Sequence, residues 1–153
     1  MAATLSGAVP GITSRDPGIT SNMSVQLPDL AKKLLDGPTF VTLTTLRKDG
    51  SAHSTTMWAK RDEDAIVFST VESRQKAKHI ARDPRVTVSL FDADNPYNYV
   101  TIEGVASTTR EGGPELIQEL SRKYTGEPYT NDEGTDNVRV VVTITPTRSY
   151  PHH

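Results

Sequence analysis

The sequence predicts a mainly β protein of the α+β class, in which six antiparallel strands form a small barrel with flanking helices. Three observations predict this class. Several short runs are rich in Val, Thr and Ile and alternate apolar with polar residues, as half-buried strands do. Polar turns separate the runs, and Asp49-Gly50 is a strong hairpin signal between two of them. Helical periodicity is confined to two or three segments, which places helices beside the sheet.

The first half of the chain is predicted to hold one helix and three strands. The helix covers Pro28 to Leu35, since its leucines share one side and Gly37-Pro38 stops it. Polar turns at Arg47–Gly50 and Arg61–Asp64 separate the strands that follow. These strands are predicted at Phe40–Leu46, Ala52–Lys60 and Ala65–Thr70.

The second half is predicted to hold two helices and three strands. A basic helix begins near Ser73 and ends before Asp83-Pro84, because a residue that precedes proline avoids the helical region. A second helix starts at Gly112-Gly113-Pro114 and runs to about Tyr124. The strands are predicted at Arg85–Phe91, Tyr99–Thr108 and Val138–Thr145, with polar loops at Asp92–Asn98 and Thr125–Asp136.

Composition and charge narrow the function classes. The chain has 153 residues, of which 35% are hydrophobic, enough for one domain with a modest core. A formal net charge of −2 gives no reason to expect nucleic-acid binding. Cysteine is absent, which excludes disulfides and thiol catalysis and fits a cytoplasmic protein. No apolar run is long enough to span a membrane, and no histidine spacing indicates a metal site.

Three segments are predicted along the chain. Residues 1–24 mix Gly, Ser, Thr and Pro and lack the basic start and apolar block of a secretion signal, which indicates a flexible N-terminal extension. Residues 25–150 hold all the predicted strands and helices and form the folded domain. Residues 151–153 form a short exposed tail.

The most informative stretch joins the third predicted strand to the basic helix. Ser73 is predicted to cap this helix, and Arg74 and Lys76 lie at its first turn. A helix start offers free backbone N–H groups and the positive end of a dipole, so a hydroxyl and two cations there favour a phosphate site. A surface helix with solvated lysines is the alternative that these residues alone leave open.

Five segments carry a family resemblance in the correct order. They are Val41–His53, Phe68–Lys76, Ala81–Val86, Asp92–Tyr99 and Ile102–Gly104. Together they resemble the split β-barrel superfamily of pyridoxamine 5′-phosphate oxidase-like proteins, which bind flavins or deazaflavins. The similarity covers about Leu27 to Tyr150 and implies a split β-barrel with flanking helices for the cofactor-binding domain.

Two of these segments are similar to the actinobacterial branch that uses the deazaflavin coenzyme F420. They are Arg74-x-Lys76 and Asp94-Asn-Pro-Tyr97. The resemblance implies an oxidoreductase that transfers hydride from reduced coenzyme F420 to a small organic acceptor. The alternatives are an FMN-binding oxidoreductase of the same fold and a non-catalytic protein that stores or shields the cofactor. Thr55 stands where pyridoxamine phosphate oxidases carry an arginine for FMN phosphate, while Lys60 matches their lysine.

The resemblance also implies a homodimer with two cofactor clefts at the subunit interface. One subunit supplies the phosphate site through Ser73, Arg74 and Lys76. Its neighbouring strands line the ring and ribityl chain through Thr56, Met57, Trp58, Ser69 and Thr70. The other subunit contributes Tyr97 and Tyr99. A flat ring system needs a slot with aromatic or thioether contacts, and these residues include both.

Several of these residues have a purely structural alternative. Trp58 suits core packing or a dimer contact as well as ring contact, and Tyr97 and Tyr99 suit interface packing. No catalytic side chain is identified. None is required for protonation of the product, because solvent can supply the proton. A general acid at His53 or His79 is a further hypothesis.

Overall fold

Seven antiparallel strands and three helices occupy the part of the chain that the computed structural model describes, residues 24–152. In chain order they are α1 (Asp29–Asp36), β1 (Val41–Leu46), β2 (Ala52–Met57), β3 (Lys60–Asp62), β4 (Ala65–Val71), α2 (Gln75–Arg82), β5 (Arg85–Asp92), β6 (Asn95–Thr109), α3 (Gly113–Thr125) and β7 (Arg139–His152). The sheet order is β2-β1-β5-β6-β7-β4-β3, so the sheet is not closed. The predicted α+β class and its flanking helices are confirmed.

The predicted number of six strands is wrong, because the segment Ala52–Lys60 forms two strands. Its first part, β2, pairs with β1, and its second part, β3, pairs with β4 at the other edge of the sheet. The break falls at Ala59, whose N–H donates to the Tyr124 hydroxyl at 3.1 Å. The Ala59 carbonyl accepts from Lys123 Nζ at 2.9 Å. Since α3 satisfies these backbone groups, the chain can leave one strand pair and join another.

Two predicted loops and ends are also corrected. The polar loop at Asp92–Asn98 is a tight turn, in which the Asp94 N–H donates to Asp92 Oδ1 at 2.9 Å, and β6 starts at Asn95. The last strand continues beyond Thr145 to His152, since β6 is 15 residues long and offers a partner along its whole length. Except for Ser24, the predicted extension at residues 1–24 lies outside the described residues, so the division into segments stays a prediction.

The main core lies on one face of the sheet and follows the period of two expected of half-buried strands. In β7, for example, Val140, Val142 and Ile144 are fully buried. Helix α1 covers this face with its buried residues Ala31, Leu34 and Leu35. A smaller apolar cluster forms where Val67, Leu116 and Leu120 meet between β4 and α3.

The helices are short and lie beside the sheet. They have 8, 8 and 13 residues, and within residues 24–152 none has the length and apolar character needed to cross a membrane. Helix α2 packs on β1, and α3 packs on β4 and β7. The second predicted helix end is confirmed, since α2 stops at Arg82, directly before Asp83-Pro84.

Candidate functional site

A cleft of about 350 Å³ lies where the end of β2, the middle of β4, the start of α2 and helix α3 meet. Six of the ten predicted cofactor-binding residues line it: Thr56, Met57, Trp58, Ser69, Arg74 and Lys76. A larger cavity of about 490 Å³ lies elsewhere, around Thr87 and Glu103, and none of the ten residues lines it. The predicted residues therefore converge on the smaller cleft.

Ser69 and Thr70 lie on opposite faces of β4, because successive strand residues point in opposite directions. Ser69 lines the cleft, whereas Thr70 is 1% exposed and does not line it. The predicted place of Thr70 beside the ring is therefore not found in this chain. The Ser69 hydroxyl is buried and has no hydrogen-bond partner among the described residues. Such an unpartnered group is costly, so a ligand oxygen at this position would satisfy it.

The start of α2 brings two cations to the cleft. Ser73 was predicted to cap this helix, and that prediction is wrong: Arg74 occupies the N-cap position, with extended backbone, and no side chain caps the helix. The first turn of α2 contains no acidic residue, so no carboxylate of the helix itself offsets its positive end. Its first N–H groups have no intrahelical acceptor, as at every helix start.

Lys76 sits in a strongly positive environment. Burial is the main cause that lowers the pKa of its ammonium, and the nearby charges of Arg74 and Arg139 lower it further. Within residues 24–152, neither Lys76 nor Arg74 takes part in a salt bridge. An anion bound between them would supply the missing negative charge.

Arg139 is a cleft residue that sequence reasoning missed. Its guanidinium Nε donates to Asp132 Oδ2 at 2.7 Å and Nη2 donates to the Tyr129 hydroxyl at 2.9 Å. The side chain is only 4% exposed. Its hydrogen bond holds the pKa of the Asp132 carboxyl below its usual value. The available signal was one charged residue inside the apolar run Val138–Val142, on the face opposite the core valines.

Aromatic rings form another part of the cleft wall. Trp58 stacks on Tyr124 with ring centroids 5.5 Å apart and planes inclined by 17°. Tyr129 stands edge-on to Trp58, at 6.3 Å and 86°. Trp58 therefore packs on α3 and also lines the cleft, while its contact with a cofactor ring stays a prediction.

The remaining predicted residues lie away from this cleft. Tyr97 is 78% exposed near the start of β6, and Tyr99 pairs with Phe91 of β5. Ser73 lines a separate small cavity beside Asp136. A single chain does not test whether Tyr97 and Tyr99 reach the cleft of a second subunit, so that role stays a prediction.

The two histidines considered as general acids also lie outside the cleft. His79 is buried, and its Nδ1 is 2.9 Å from the Thr45 hydroxyl. His53 contacts the edge of His79, with ring centroids 5.0 Å apart. In the described part of the chain, no three His, Asp or Glu residues cluster as metal ligands would.

Comparison with known proteins gives a consistent set of relatives. Residues 27–153 match the sequence profile of the family described as pyridoxamine 5′-phosphate oxidase. An F420 reductase of known structure is 28% identical, with a TM-score of 0.72 over 81% of this chain and 98% of that chain. A conserved hypothetical protein from Mycobacterium tuberculosis is 29% identical, with a TM-score of 0.66 over 88% and 89% of the two chains.

A further solved structure shares the fold alone. General stress protein 26 from Bacillus anthracis is 20% identical, with a TM-score of 0.60 over 81% of this chain and 92% of that chain. No curated protein sequence matches this chain.

Proposed function

Since the chain belongs to the pyridoxamine 5′-phosphate oxidase family, we propose that it is an oxidoreductase that uses reduced coenzyme F420 to transfer hydride to a small organic acceptor. The family and its solved relatives support a flavin or deazaflavin oxidoreductase. The resemblance to an F420 reductase, at 28% identity over nearly all of that protein, favours the deazaflavin.

One observation carries the proposal. The cleft is lined by two cations that form no salt bridge among the described residues, Arg74 and Lys76, and by the aromatic rings of Trp58 and Tyr129. The unpartnered hydroxyl of Ser69 lines the same cleft. A ligand with a phosphate group, a hydroxylated chain and a flat ring matches this set of charge, hydroxyl and aromatic surface.

The residues present therefore fit the cofactor, and each has a defined task. Arg74, Lys76 and the first N–H groups of α2 would hold its phosphate, and Ser69 and Thr56 would bond its polyol chain. Trp58 would orient the ring and exclude water from it. When bound, the reduced deazaflavin supplies a hydride to the acceptor. No described side chain is assigned a proton transfer, because His53 and His79 do not line the cleft.

A homodimer is part of this proposal. The cleft is open on one side in the single chain, and a second subunit would bring Tyr97 and Tyr99 to it. The exposed ring of Tyr97 supports such a contact, since a large aromatic surface is costly to leave in water.

FMN is the second candidate, because the family profile is that of pyridoxamine 5′-phosphate oxidase. Thr55 replaces the arginine that the family resemblance would require on the second strand. Its hydroxyl is buried and it does not line the cleft, so it adds no charge to the phosphate site. Coenzyme F420 is therefore preferred over FMN in this proposal.

The test is a fluorescence titration of the purified protein with coenzyme F420 and, in parallel, with FMN. Lys76→Ala is expected to weaken coenzyme binding by about 1.5–3 kcal/mol, roughly a 10- to 100-fold rise in Kd. Lys78→Ala is the matched control, because Lys78 lies on the same helix, is exposed and does not line the cleft.

Three outcomes would change the proposal. Preferential binding of FMN would move the protein to the flavin-dependent members of the family. Tight binding of coenzyme F420 without turnover of any acceptor would support a storage or shielding protein. Equal affinity for wild type and Lys76→Ala would contradict the phosphate assignment.

A further inference from the structure

The loop between α3 and β7, residues 126–138, is held to the rest of the protein at several residues, among them Glu127, Tyr129 and Asp132. The side-chain amide of Gln118 donates through Nε2 to the Tyr129 carbonyl at 2.8 Å. The Tyr129 N–H donates back to Gln118 Oε1 at 3.0 Å. One glutamine therefore satisfies both backbone groups of Tyr129, as a neighbouring strand would.

The ring of Tyr129 is held as firmly as its backbone. Arg139 donates to the Tyr129 hydroxyl, and its guanidinium carbon lies 4.9 Å from the ring centroid. Asp132 in turn fixes Arg139 through bonds of 2.7 and 3.3 Å to two guanidinium nitrogens. Two of the three guanidinium nitrogens of Arg139, Nε and Nη2, are therefore engaged by a carboxylate and a phenol within the protein.

The restrained ring stands at the aromatic end of the cleft. Tyr129 and Trp58 are both partly exposed, and their planes meet at 86°. One face of Trp58 is covered by Tyr124, and one face of Tyr129 is covered by Arg139. A loop side chain held at its backbone, hydroxyl and ring, beside a cleft, is organised in advance for contact with a ligand.

We propose that Tyr129 is a binding residue that contacts the flat ring of the bound ligand, and that Arg139 and Gln118 are positioning residues that hold Tyr129 in place. This inference rests on the proposed function, in which the ligand is a phosphate-bearing deazaflavin or flavin. It assigns ring contact to Tyr129 and phosphate contact to Lys76, two residues that line the same cleft.

The experiment compares ligands that have the ring with and without the phosphate. Coenzyme F420, FMN and riboflavin are titrated against wild type, Tyr129→Ala, Tyr129→Phe and Lys76→Ala. Tyr129→Ala is expected to raise Kd about tenfold for the phosphorylated ligands and for riboflavin alike, because all of them carry the ring. Lys76→Ala is expected to affect only the phosphorylated ligands. Tyr129→Phe keeps the ring and is expected to retain most of the affinity.

A double-mutant cycle separates positioning from direct contact. Arg139→Gln is expected to weaken the binding of riboflavin and of FMN equally. It is expected to have no further effect on either Kd when Tyr129 is already alanine. An arginine that gripped the phosphate would instead spare riboflavin and keep its effect in the Tyr129→Ala background. Thermal unfolding of each variant without ligand identifies those that fold. If Tyr129→Ala does not fold, Tyr129→Leu provides the test, because it removes the ring but keeps an apolar side chain.

The outcomes distinguish this inference from the proposed function. If wild type binds neither phosphorylated ligand nor riboflavin, both are overturned. If wild type binds and Lys76→Ala weakens binding while Tyr129→Ala leaves every Kd unchanged, only the role of Tyr129 is overturned. If Tyr129→Ala lowered the affinity for FMN but not the affinity for riboflavin, that result would also contradict contact between Tyr129 and the ring.

Discussion

His79 is a buried titratable residue of α2, the helix whose start brings Arg74 and Lys76 to the cleft. Thr45 is its hydrogen-bond partner, and the ring of His53 stands edge-on to it. Burial is the main cause that lowers the pKa of His79 below its usual value of 6.5, and the positive groups of His53, Arg82 and Arg47 add to it. Protonation of His79 would therefore place a charge on the buried face of α2, next to other positive groups.

This arrangement predicts a pH dependence of stability. The unfolded chain takes up the His79 proton at a higher pH than the folded chain. The contribution of His79 to the free energy of unfolding is therefore fully present above about pH 6.5 and is lost as the pH drops below it. The free energy of unfolding in urea, measured between about pH 7.5 and 5.5, is expected to decrease in that direction. The carboxyls with lowered pKa values, such as Asp83 and Asp132, titrate below this window.

His79→Gln supplies the control, since glutamine keeps a polar side chain that can bond Thr45 but does not titrate. The decrease in stability over the same pH range is expected to be smaller in this variant. An unchanged pH dependence would show that another group is responsible.

Lys76 predicts a second pH effect, this time on ligand affinity. Because its pKa is lowered from 10.5, its positive charge is lost at a lower pH than that of an ordinary lysine. The affinity for a phosphate-bearing ligand is therefore expected to fall as the pH rises into the alkaline range. Lys76→Arg, which stays charged, is expected to bind without this fall. Equal pH profiles for the two proteins would place the phosphate away from Lys76.

Among the elements, α3 and β7 approach each other most closely at Gly113. A Cβ atom at this position would overlap the Arg139 carbonyl oxygen. Its nearest neighbours are all backbone atoms of Arg139 and Val140, which cannot rotate away. The first residue of α3 therefore has to be glycine for the helix to reach the strand. The contact also fixes the strand position from which Arg139 enters the cleft.

Gly113→Ala is expected to destabilise the protein by about 1–3 kcal/mol, because the helix and strand must separate to admit the methyl group. Gly37→Ala is the control, since the added Cβ would meet its nearest neighbour, a carbonyl oxygen of Leu34, only at 3.8 Å. Urea unfolding of the two variants compares them directly. Equal stabilities would show that the α3–β7 contact yields without cost.

At this scale the sequence predicts most elements but not their long-range partners. Alternation and the Asp49-Gly50 turn predict β1 and the start of β2 correctly, because these signals are local. The break at Ala59 is invisible in the sequence, since the groups that cause it come from Lys123 and Tyr124, far along the chain.

The same limit applies to the candidate site. The sequence predicts Arg74 and Lys76 as site residues because they are cations at a helix start, and both line the cleft. Tyr129 and Arg139 belong to a polar loop and an apolar strand, and only the pairing of β4 with β7 brings the strand to the cleft. Ser69 and Thr70 were indistinguishable by composition, and the position of each in the pleat decided which one reached the cleft.

In the whole molecule, the outer face of β5, β6 and β7 exposes large aromatic side chains. Phe91 is 51% exposed, Tyr97 78% and Tyr150 44%. Phe91 stands opposite Tyr99, and Tyr150 stands opposite Thr101 on the next strand, so these side chains share one surface. This surface, with Phe91, Tyr97 and Tyr150, is the one proposed to meet a second copy of the chain.

The proposal predicts a dimer in solution that a single charge disrupts. Sedimentation velocity of the wild type is expected to give twice the mass of one chain, and Phe91→Asp is expected to give a larger monomer fraction. Val138→Asp is the control, since Val138 is 38% exposed and lies before β7, at its opposite end from Tyr150. A monomeric wild type would remove the dimer from the proposed function.

The sheet order has a consequence for co-translational folding of the protein. Strand β4 pairs on one side with its hairpin neighbour β3. Its other partner is β7, far along the chain, in which Ile144 pairs with Ile66. Because domains form as their sequence emerges, the open edge of β4 and the apolar side chain of Phe68 remain unprotected until β7 has been synthesised. A chain that lacks β7 also lacks Arg139, so it cannot complete the cleft, and it exposes the strand edge and apolar surface that favour aggregation.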